Sequence, residues 1–196
     1  MADICFMENT LISLLQQLKP IPLEDQRQIV DAFDTKEFKE GEYLFRSGQV
    51  CRQMFFIEDG VLRIMAQNEK GNEITYFFLK AGQLCTILKS FNEGTVADES
   101  IQAACDTQVM TISKSKLEQL YAVIPYLREL MVQATQSTLL AKISTRNAYR
   151  GLDSAERYKL FMEQQGYIAQ RVSLTDIASY LGITPQSLSR IRRNIK

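Results

Sequence analysis

The C-terminal segment SLTDIASYLGITPQSLSRIRRNIK (173–196) constrains the fold more than any other part of the chain. Ser173 followed by Asp176, and Thr184 followed by a proline, are typical of residues that begin helices. Gly182 lies between the two predicted helices, where a tight turn needs positive φ. Small or apolar residues occupy the positions that two short crossing helices would share: Ile177, Ala178, Leu181, Ile183, Leu188 and Ile191. The segment therefore predicts a helix-turn-helix.

The outer face of the second predicted helix is polar and basic, which suits contact with the base edges and phosphates of DNA. The candidate DNA-binding residues are Thr184, Gln186, Ser187, Ser189, Arg190, Arg192 and Arg193, and Lys196 extends the basic cluster. The alternative is a pair of amphipathic helices that only pack together, since a run of charges is usually a solvated face. The joint agreement of the small residue, the glycine and the apolar positions favours the DNA-binding motif.

The distribution of charge separates this end of the chain from the rest. The formal net charge is zero, but residues 1–139 contain 13 Lys and Arg against 19 Asp and Glu, and residues 140–196 contain 10 against 4. The two parts therefore carry −6 and +6. A basic C-terminal part on an acidic body fits a nucleic-acid-binding end joined to a part that need not touch nucleic acid.

The composition disfavours most catalytic and metal-binding classes. The chain has no histidine, which removes Ser-His and Cys-His nucleophile pairs and His-ligated zinc, iron or haem. Because the sequence also lacks the phosphate-cradling glycine motifs, we expect neither an enzyme nor a bound cofactor or metal. No apolar run reaches about 18 residues, so we expect no membrane span. The cysteines are far apart in sequence and are expected to be reduced thiols in a cytoplasmic protein: Cys5, Cys51, Cys85 and Cys105.

Before the C-terminal motif, the pattern changes from helix to strand and back to helix. Apolar residues at helical spacing predict a first helix between Asn9 and Leu18 and a second around Ile29. Glycines from position 48 to 94 then recur every 11 or 12 residues, which is typical of short strands joined by turns in a sandwich or barrel. The predicted strands are YLFRSG, MFFIEDG, VLRIMAQ, EITYFFLKAG, IQAACD and TQVMTIS. Another helix is predicted from Ser115 to Val123.

Pro125 opens a long helix that is predicted to run to about Arg150 without a further Gly or Pro. At about 1.5 Å per residue it would extend roughly 37 Å, longer than a domain of this size covers by itself. Part of its apolar stripe is therefore predicted to meet a second copy of the chain. The candidate dimer residues are Leu127, Leu130, Ala134 and Ala141. The alternative is that the whole stripe packs within its own chain.

These elements divide the chain into three predicted units. Residues 1–124 hold the N-terminal helices and the strands, 125–150 the dimerisation helix, and 151–196 a small all-α helix-turn-helix domain. Gly151 is predicted to end the long helix, and Asp153 is predicted to cap the next one. The expected fold class is α+β.

With these residues placed, the chain resembles the CRP/FNR family of bacterial transcription regulators over nearly its whole length. The resemblance is strongest in the helix-turn-helix, in Leu152 and Asp153 with Arg157 four residues later, and in the glycines Gly41, Gly48, Gly60, Gly82 and Gly94. It implies a double-stranded β-roll of the cyclic-nucleotide-binding type, a jelly roll, ahead of the DNA-binding domain.

The resemblance also implies partners and roles. It implies a homodimer on promoter DNA, with RNA polymerase as a candidate partner and a small-molecule effector that stays unidentified. In that family the base-reading positions of the recognition helix would be Gln186, Ser187 and Arg190.

The same resemblance implies a degenerate nucleotide site. Nucleotide-binding members carry, after the counterpart of Gly82, a glutamate for the ribose and an Arg-Ser pair for the cyclic phosphate. A gapless match places Ile87, Ala97 and Asp98 at those three positions. We therefore do not expect cyclic AMP to bind. The apolar side chains around Ile87 either accept a less anionic ligand or fill the pocket.

Other branches of the family fit less well. Lys142 and Ile143 stand where the cyclic-AMP-binding member has an adenine-contacting hydroxyl pair. The iron–sulfur branch needs a cluster of N-terminal cysteines, and only Cys5 is there. The sequence given ends five residues after Ile191, so the β-hairpin wing of many relatives is not expected.

The leading hypothesis is a dimeric, sequence-specific DNA-binding regulator whose β-roll does not bind cyclic AMP. A second is a ligand- or protein-binding sensor module whose helix-turn-helix does not read DNA. Affinity for promoter DNA would separate these two. A third, a cupin-like enzyme on a similar barrel, is disfavoured because histidine ligands are lacking.

Overall fold

The protein has an α+β fold in which two antiparallel sheets are flanked by helices. The computed structural model describes residues 9–69 and 71–194. Cys5 and Lys196 lie outside the described residues. The helices are α1 (Thr10–Gln16), α2 (Leu23–Asp31), α3 (Leu88–Glu93), α4 (Lys114–Val123), α5 (Leu127–Ala148), α6 (Ser154–Gln164), α7 (Gly166–Arg171), α8 (Leu174–Leu181) and α9 (Pro185–Asn194). The strands are β1 (Asp34–Phe38), β2 (Tyr43–Phe45), β3 (Gln53–Asp59), β4 (Val61–Gln67), β5 (Glu73–Lys80), β6 (Leu84–Cys85), β7 (Ser100–Ala103) and β8 (Thr107–Ser113).

The strands form the β-roll that the resemblance implies. One four-stranded sheet has the order β1-β8-β3-β6 and the other has the order β2-β7-β4-β5. Their inner faces share an apolar core that includes Phe55, Ile57, Leu62, Leu79 and Ile101. All six predicted strands are present. The sequence pattern missed β1, which is short and mostly exposed, and β6, which has two residues.

The turn between β3 and β4 depends on Gly60. Its φ of 97° lies in the left-handed region. A Cβ atom at this position would lie 2.4 Å from Thr107 Oγ1. Because both the backbone conformation and the space exclude a side chain, glycine lets the β3–β4 hairpin pack against β8.

The long helix α5 packs within its own chain along its first half. Leu127, Leu130 and Ala134 are at most 4% exposed and belong to a core shared with α1, α4 and β3. These three side chains are thus buried within their own chain, and a role for them in contact with a second copy stays a prediction. Ala141, the fourth predicted dimer residue, lines a cleft between α5 and the C-terminal helices instead. The helical stripe was real, but its apolar partner is the N-terminal part of the same subunit.

The opposite face of α5 carries exposed apolar side chains. The exposed fractions of Val132, Leu139, Leu140 and Ile143 are 48%, 38%, 65% and 45%. Leu139 follows Val132 by seven residues, and Ile143 follows Leu139 by four and Leu140 by three, so all four lie on one side of the helix. The exposed apolar stripe of α5 therefore lies on the side of the helix opposite Leu127.

The C-terminal helices pack on one another and on the β-roll. Asp153 and Glu156 form the predicted capping box at the start of α6. Residues from Gly166 form a further helix, α7, which the sequence pattern did not predict. The core of this region includes Phe161, Ile177 and Leu188, together with residues contributed by β4 and β5. Within the described parts of the chain, no helix is both long and apolar enough to cross a lipid bilayer.

Candidate nucleic-acid interface and effector region

Helices α8 and α9 form the predicted helix-turn-helix. Ser173 Oγ accepts a hydrogen bond from the backbone N–H of Asp176 at 3.1 Å, which caps α8. Gly182 ends α8 with a φ of 68°. Thr184 Oγ1 then accepts from the backbone N–H of Ser187 at 3.1 Å and caps α9. The sequence signals for both helix starts and for the turn are therefore confirmed.

Helix α9 packs against its neighbouring helices through its inner side, and its outer side is exposed to solvent. Leu188 is fully buried against α8 and α6. The exposed candidate residues are Thr184, Gln186, Ser187, Arg190, Arg192 and Arg193, and Ser189 is half-buried. Among the residues that the structure describes, no carboxylate forms an ion pair with the three arginines of α9. Their guanidinium groups can therefore contact a ligand without breaking an internal pair.

A buried arginine in the β-roll holds α8 in place. Arg63 of β4 forms an ion pair with Asp176 of α8 and a second one with Glu73 of β5, the latter at 2.9 Å. Arg63 Nε also donates to Gln102 Oε1 at 2.6 Å. In addition, Ser179 Oγ of α8 accepts a hydrogen bond from the backbone N–H of Thr75 in β5. The first helix of the motif is thereby attached to the β4–β5 hairpin.

Aromatic rings complete the contact between the roll and the C-terminal helices. The ring centroids of Phe78 and Tyr180 are 5.1 Å apart, and Phe161 lies 5.8 Å from Tyr180. Tyr149, just after α5, meets Tyr180 edge-on at 6.0 Å. Gln165 Nε2 donates to the hydroxyl of Tyr149 at 2.8 Å. This cluster joins β5, the end of α5 and the helix-turn-helix in a single packed unit.

The predicted effector residues differ in their exposure. Ile87 and Ala97 are 6% and 3% exposed and lie in the apolar core of the roll. Asp98 is exposed. Gly82 adopts a φ of 82°, and its N–H donates to the carbonyl oxygen of Ile57 at 2.9 Å. Apolar side chains therefore occupy two of the three predicted nucleotide-contact positions, and whether the site is filled or open to another ligand stays a prediction.

Lys142 and Ile143 lie on different sides of α5. Ile143 is exposed, whereas Lys142 is half-buried and faces the roll. The Nζ atom of Lys142 lies 5.1 Å from the ring centroid of Phe77. Burial lowers the pKa of this amine, and burial raises the pKa of the neighbouring Cys85 thiol to about 12.

Sequence reasoning missed the structural importance of Arg63 and the surroundings of Lys142. A signal existed for Arg63, because it is the charged residue inside the otherwise apolar strand VLRIMAQ. For Lys142 the sequence placed the residue correctly on the long helix. It gave no sign that the side chain would be buried between two parts of the fold.

Comparison with known proteins agrees with this architecture. The cyclic nucleotide-binding domain family matches residues 35–123. The fumarate and nitrate reduction regulatory protein of Vibrio cholerae is 26% identical over 181 residues, covering 86% of this chain and 70% of the relative. The transcriptional activator protein Anr of Pseudomonas protegens is 25% identical over 199 residues, covering 87% and 76%. These similarities support the CRP/FNR family of transcription regulators.

A solved structure shows the same fold over most of the chain. The global regulator CLP of Xanthomonas campestris superposes with a TM-score of 0.69 at 16% identity, covering 89% of this chain and 91% of that one. The CRP/FNR family consists of transcription regulators rather than enzymes. This agrees with the function class that the sequence favours.

Proposed function

We propose that this CRP/FNR chain is a homodimeric, cytoplasmic, sequence-specific DNA-binding regulator whose β-roll does not bind cyclic AMP. The observation that carries the proposal is the outer face of α9. It presents Gln186, Ser187 and Arg190 to solvent on a helix whose inner side is fixed by Leu188. A helix anchored on one side and polar on the other suits insertion into the major groove.

The roles of the polar residues on α9 follow from their chemistry. A guanidinium such as that of Arg190 can donate two hydrogen bonds to the O6 and N7 atoms of guanine, which distinguishes guanine from other bases. Arg192 and Arg193 lie towards the end of the helix and suit contact with phosphates, which adds affinity without sequence preference. Thr184 and Ser189 suit the same positioning role.

The exposed stripe of α5 supports the dimer. Val132, Leu139, Leu140 and Ile143 would be removed from water by the same stripe of a second copy. A two-fold axis along this helix pair would place two recognition helices about 34 Å apart, one turn of DNA. RNA polymerase is then the partner that a promoter-bound regulator would contact.

The residues at the predicted nucleotide positions support the absence of cyclic AMP binding. Ala97 offers no positive charge to a cyclic phosphate, and Ile87 offers no hydrogen bond to a ribose. The roll would then serve as a rigid support for α5 and α8. Effector control, if it occurs, would act through another part of the molecule.

The test is selection of genomic fragments by the purified protein at stated salt. The proposal predicts enriched fragments that share an inverted repeat whose half-sites lie about 10 base pairs apart, centre to centre. Enrichment without a shared sequence would contradict specific reading of DNA. It would favour the second candidate, a sensor module whose output is a protein contact.

A further inference from the structure

A cleft outside the predicted nucleotide site lies where the three parts of the fold meet. Its volume is about 200 Å³. One wall is the end of β5 with Gln83, a second is α5 at Lys142 and Thr145, and a third comes from the C-terminal helices at Gln164 and Tyr180. A molecule in this cleft would touch the roll, the long helix and the DNA-binding end at once.

Lys142 brings a cationic side chain to the lining of this cleft. Within residues 9–69 and 71–194, no carboxylate forms an ion pair with Lys142. Its ammonium group is partly removed from water and is stabilised by the face of the Phe77 ring. A half-buried charge without a counter-ion is costly, and an anion placed beside it would offset that cost.

The remaining lining suits an anion with a flat apolar body. A second lysine, Lys80, borders the cleft, and the lining contains no carboxylate. Gln83 Oε1 accepts a hydrogen bond from the backbone N–H of Lys80 at 2.9 Å, which leaves the amide N–H groups of Gln83 to donate to a ligand. The aromatic residues Phe78 and Tyr180, which pack against each other, add apolar surface to the lining.

We propose that this cleft binds a small aryl or unsaturated carboxylate, with the carboxylate beside Lys142 and the planar body against Phe78 and Tyr180, whose ring centroids are 5.1 Å apart. A ligand there would bridge β5, α5 and the helices that carry the helix-turn-helix. Its effect on DNA binding rests on the proposed function, whereas its binding to the free protein does not.

The test uses benzoate, phenylacetate and cinnamate, with the corresponding primary amides as neutral controls, on DNA-free full-length protein. We expect saturable heat in calorimetry with a Kd of about 1 mM or below for at least one carboxylate, and no binding of its amide. Absence of binding by all three carboxylates, or equal binding of acid and amide, would overturn the proposal. This comparison needs no variant.

Substitution of Lys142 then tests whether the carboxylate binds in this cleft. Lys142→Met should weaken carboxylate binding at least tenfold, because it removes the cation but keeps an unbranched apolar side chain. Lys159→Met, which changes an exposed lysine of α6, should bind as the wild type does. Unchanged affinity in Lys142→Met with a normal melting curve would place the ligand elsewhere and overturn the assignment. Binding is measured without DNA, so either result leaves the DNA-binding proposal independently testable.

Discussion

Arg63 of the β-roll and Asp176 of helix α8 form an ion pair that joins the β-roll to the C-terminal helices. The two side chains are 9% and 16% exposed, so both charges have lost most of their water. Asp176 also accepts a hydrogen bond from Ser173 Oγ at the start of the same helix. The position of the helix-turn-helix on the roll therefore depends on a buried charge pair and on the apolar contacts around it.

Removing the arginine should destabilise the chain strongly. Arg63→Met keeps much of the apolar stem but leaves Asp176 without its cation, and breaking a buried pair costs about 3–5 kcal/mol. The free energy of unfolding from urea titration measures the loss. Lys39→Met is the matched control, because Lys39 and Asp106 form an exposed pair whose side chains are 75% and 65% exposed. Equal stability of the two variants would show that the Arg63 pair has no special role.

The exposed face of α5, rather than the buried one, should control association. Leu140→Glu and Ile143→Glu place charges in the proposed two-fold contact, so sedimentation should show monomers with much weaker DNA binding. Leu130→Ala is the contrasting variant. It should cost about 2–5 kcal/mol of stability within the subunit while the dimer persists. Monomeric wild-type protein at micromolar concentration would contradict the dimer.

Cyclic AMP should not bind usefully. Losing the arginine contact at Ala97 removes a charged hydrogen bond worth about 1.5–3 kcal/mol, which is roughly ten- to more than a hundredfold in affinity. Calorimetry with millimolar cyclic AMP or cyclic GMP should show no saturable heat, and the melting temperature should not rise. A Kd below about 10 μM would mean that Ile87, Ala97 and Asp98 do not occupy the nucleotide positions.

Lys142 should make stability depend on pH in the alkaline range. Burial lowers its pKa in the folded protein below the 10.5 of an exposed lysine. Between these two values the unfolded chain binds more protons, so folded-state stability rises with pH across that window. Urea titrations should show the wild type gaining stability relative to Lys142→Met as pH rises from neutral towards 10.5. A constant difference between the two proteins would show that the amine is not desolvated.

The elements of the fold were predictable where local signals and packing agreed. The caps at Ser173, Thr184 and Asp153 and the positive φ of Gly182 follow from side-chain chemistry within a few residues. The edge strand Asp34–Phe38 was not predictable, because its polar sequence DTKEF forms a strand only through pairing with distant β8. Strand formation there depends on a contact far away in sequence.

The apolar stripe of α5 that contains Leu127 shows a different limit of prediction from sequence. Periodicity correctly grouped Leu127, Leu130 and Ala134 on one face, but it cannot tell which partner that face meets. In the structure the N-terminal helices pack against that face, so an intrachain core lies where a contact between subunits was predicted. The pairing of Arg63 with Asp176, residues 113 positions apart, is equally invisible to any local pattern.

The arginines of α9 should differ in their roles. Arg190→Ala should cost about 1–3 kcal/mol in DNA binding and relax the preference at one base pair per half-site. Arg193→Ala should weaken all sequences alike and reduce the slope of log affinity against log salt by about one. Competition among operator variants measures both effects. An unchanged preference in Arg190→Ala would show that another residue reads the base.

The central claim is that α9 reads a DNA sequence, and the ratio of two affinities tests it most directly. The selected operator and a scrambled duplex of equal length are titrated with wild-type protein by fluorescence anisotropy at about 0.15 M salt. The account predicts that the operator binds about a thousandfold or more tightly than the scrambled duplex. Equal affinities, or no binding to either duplex, would contradict it.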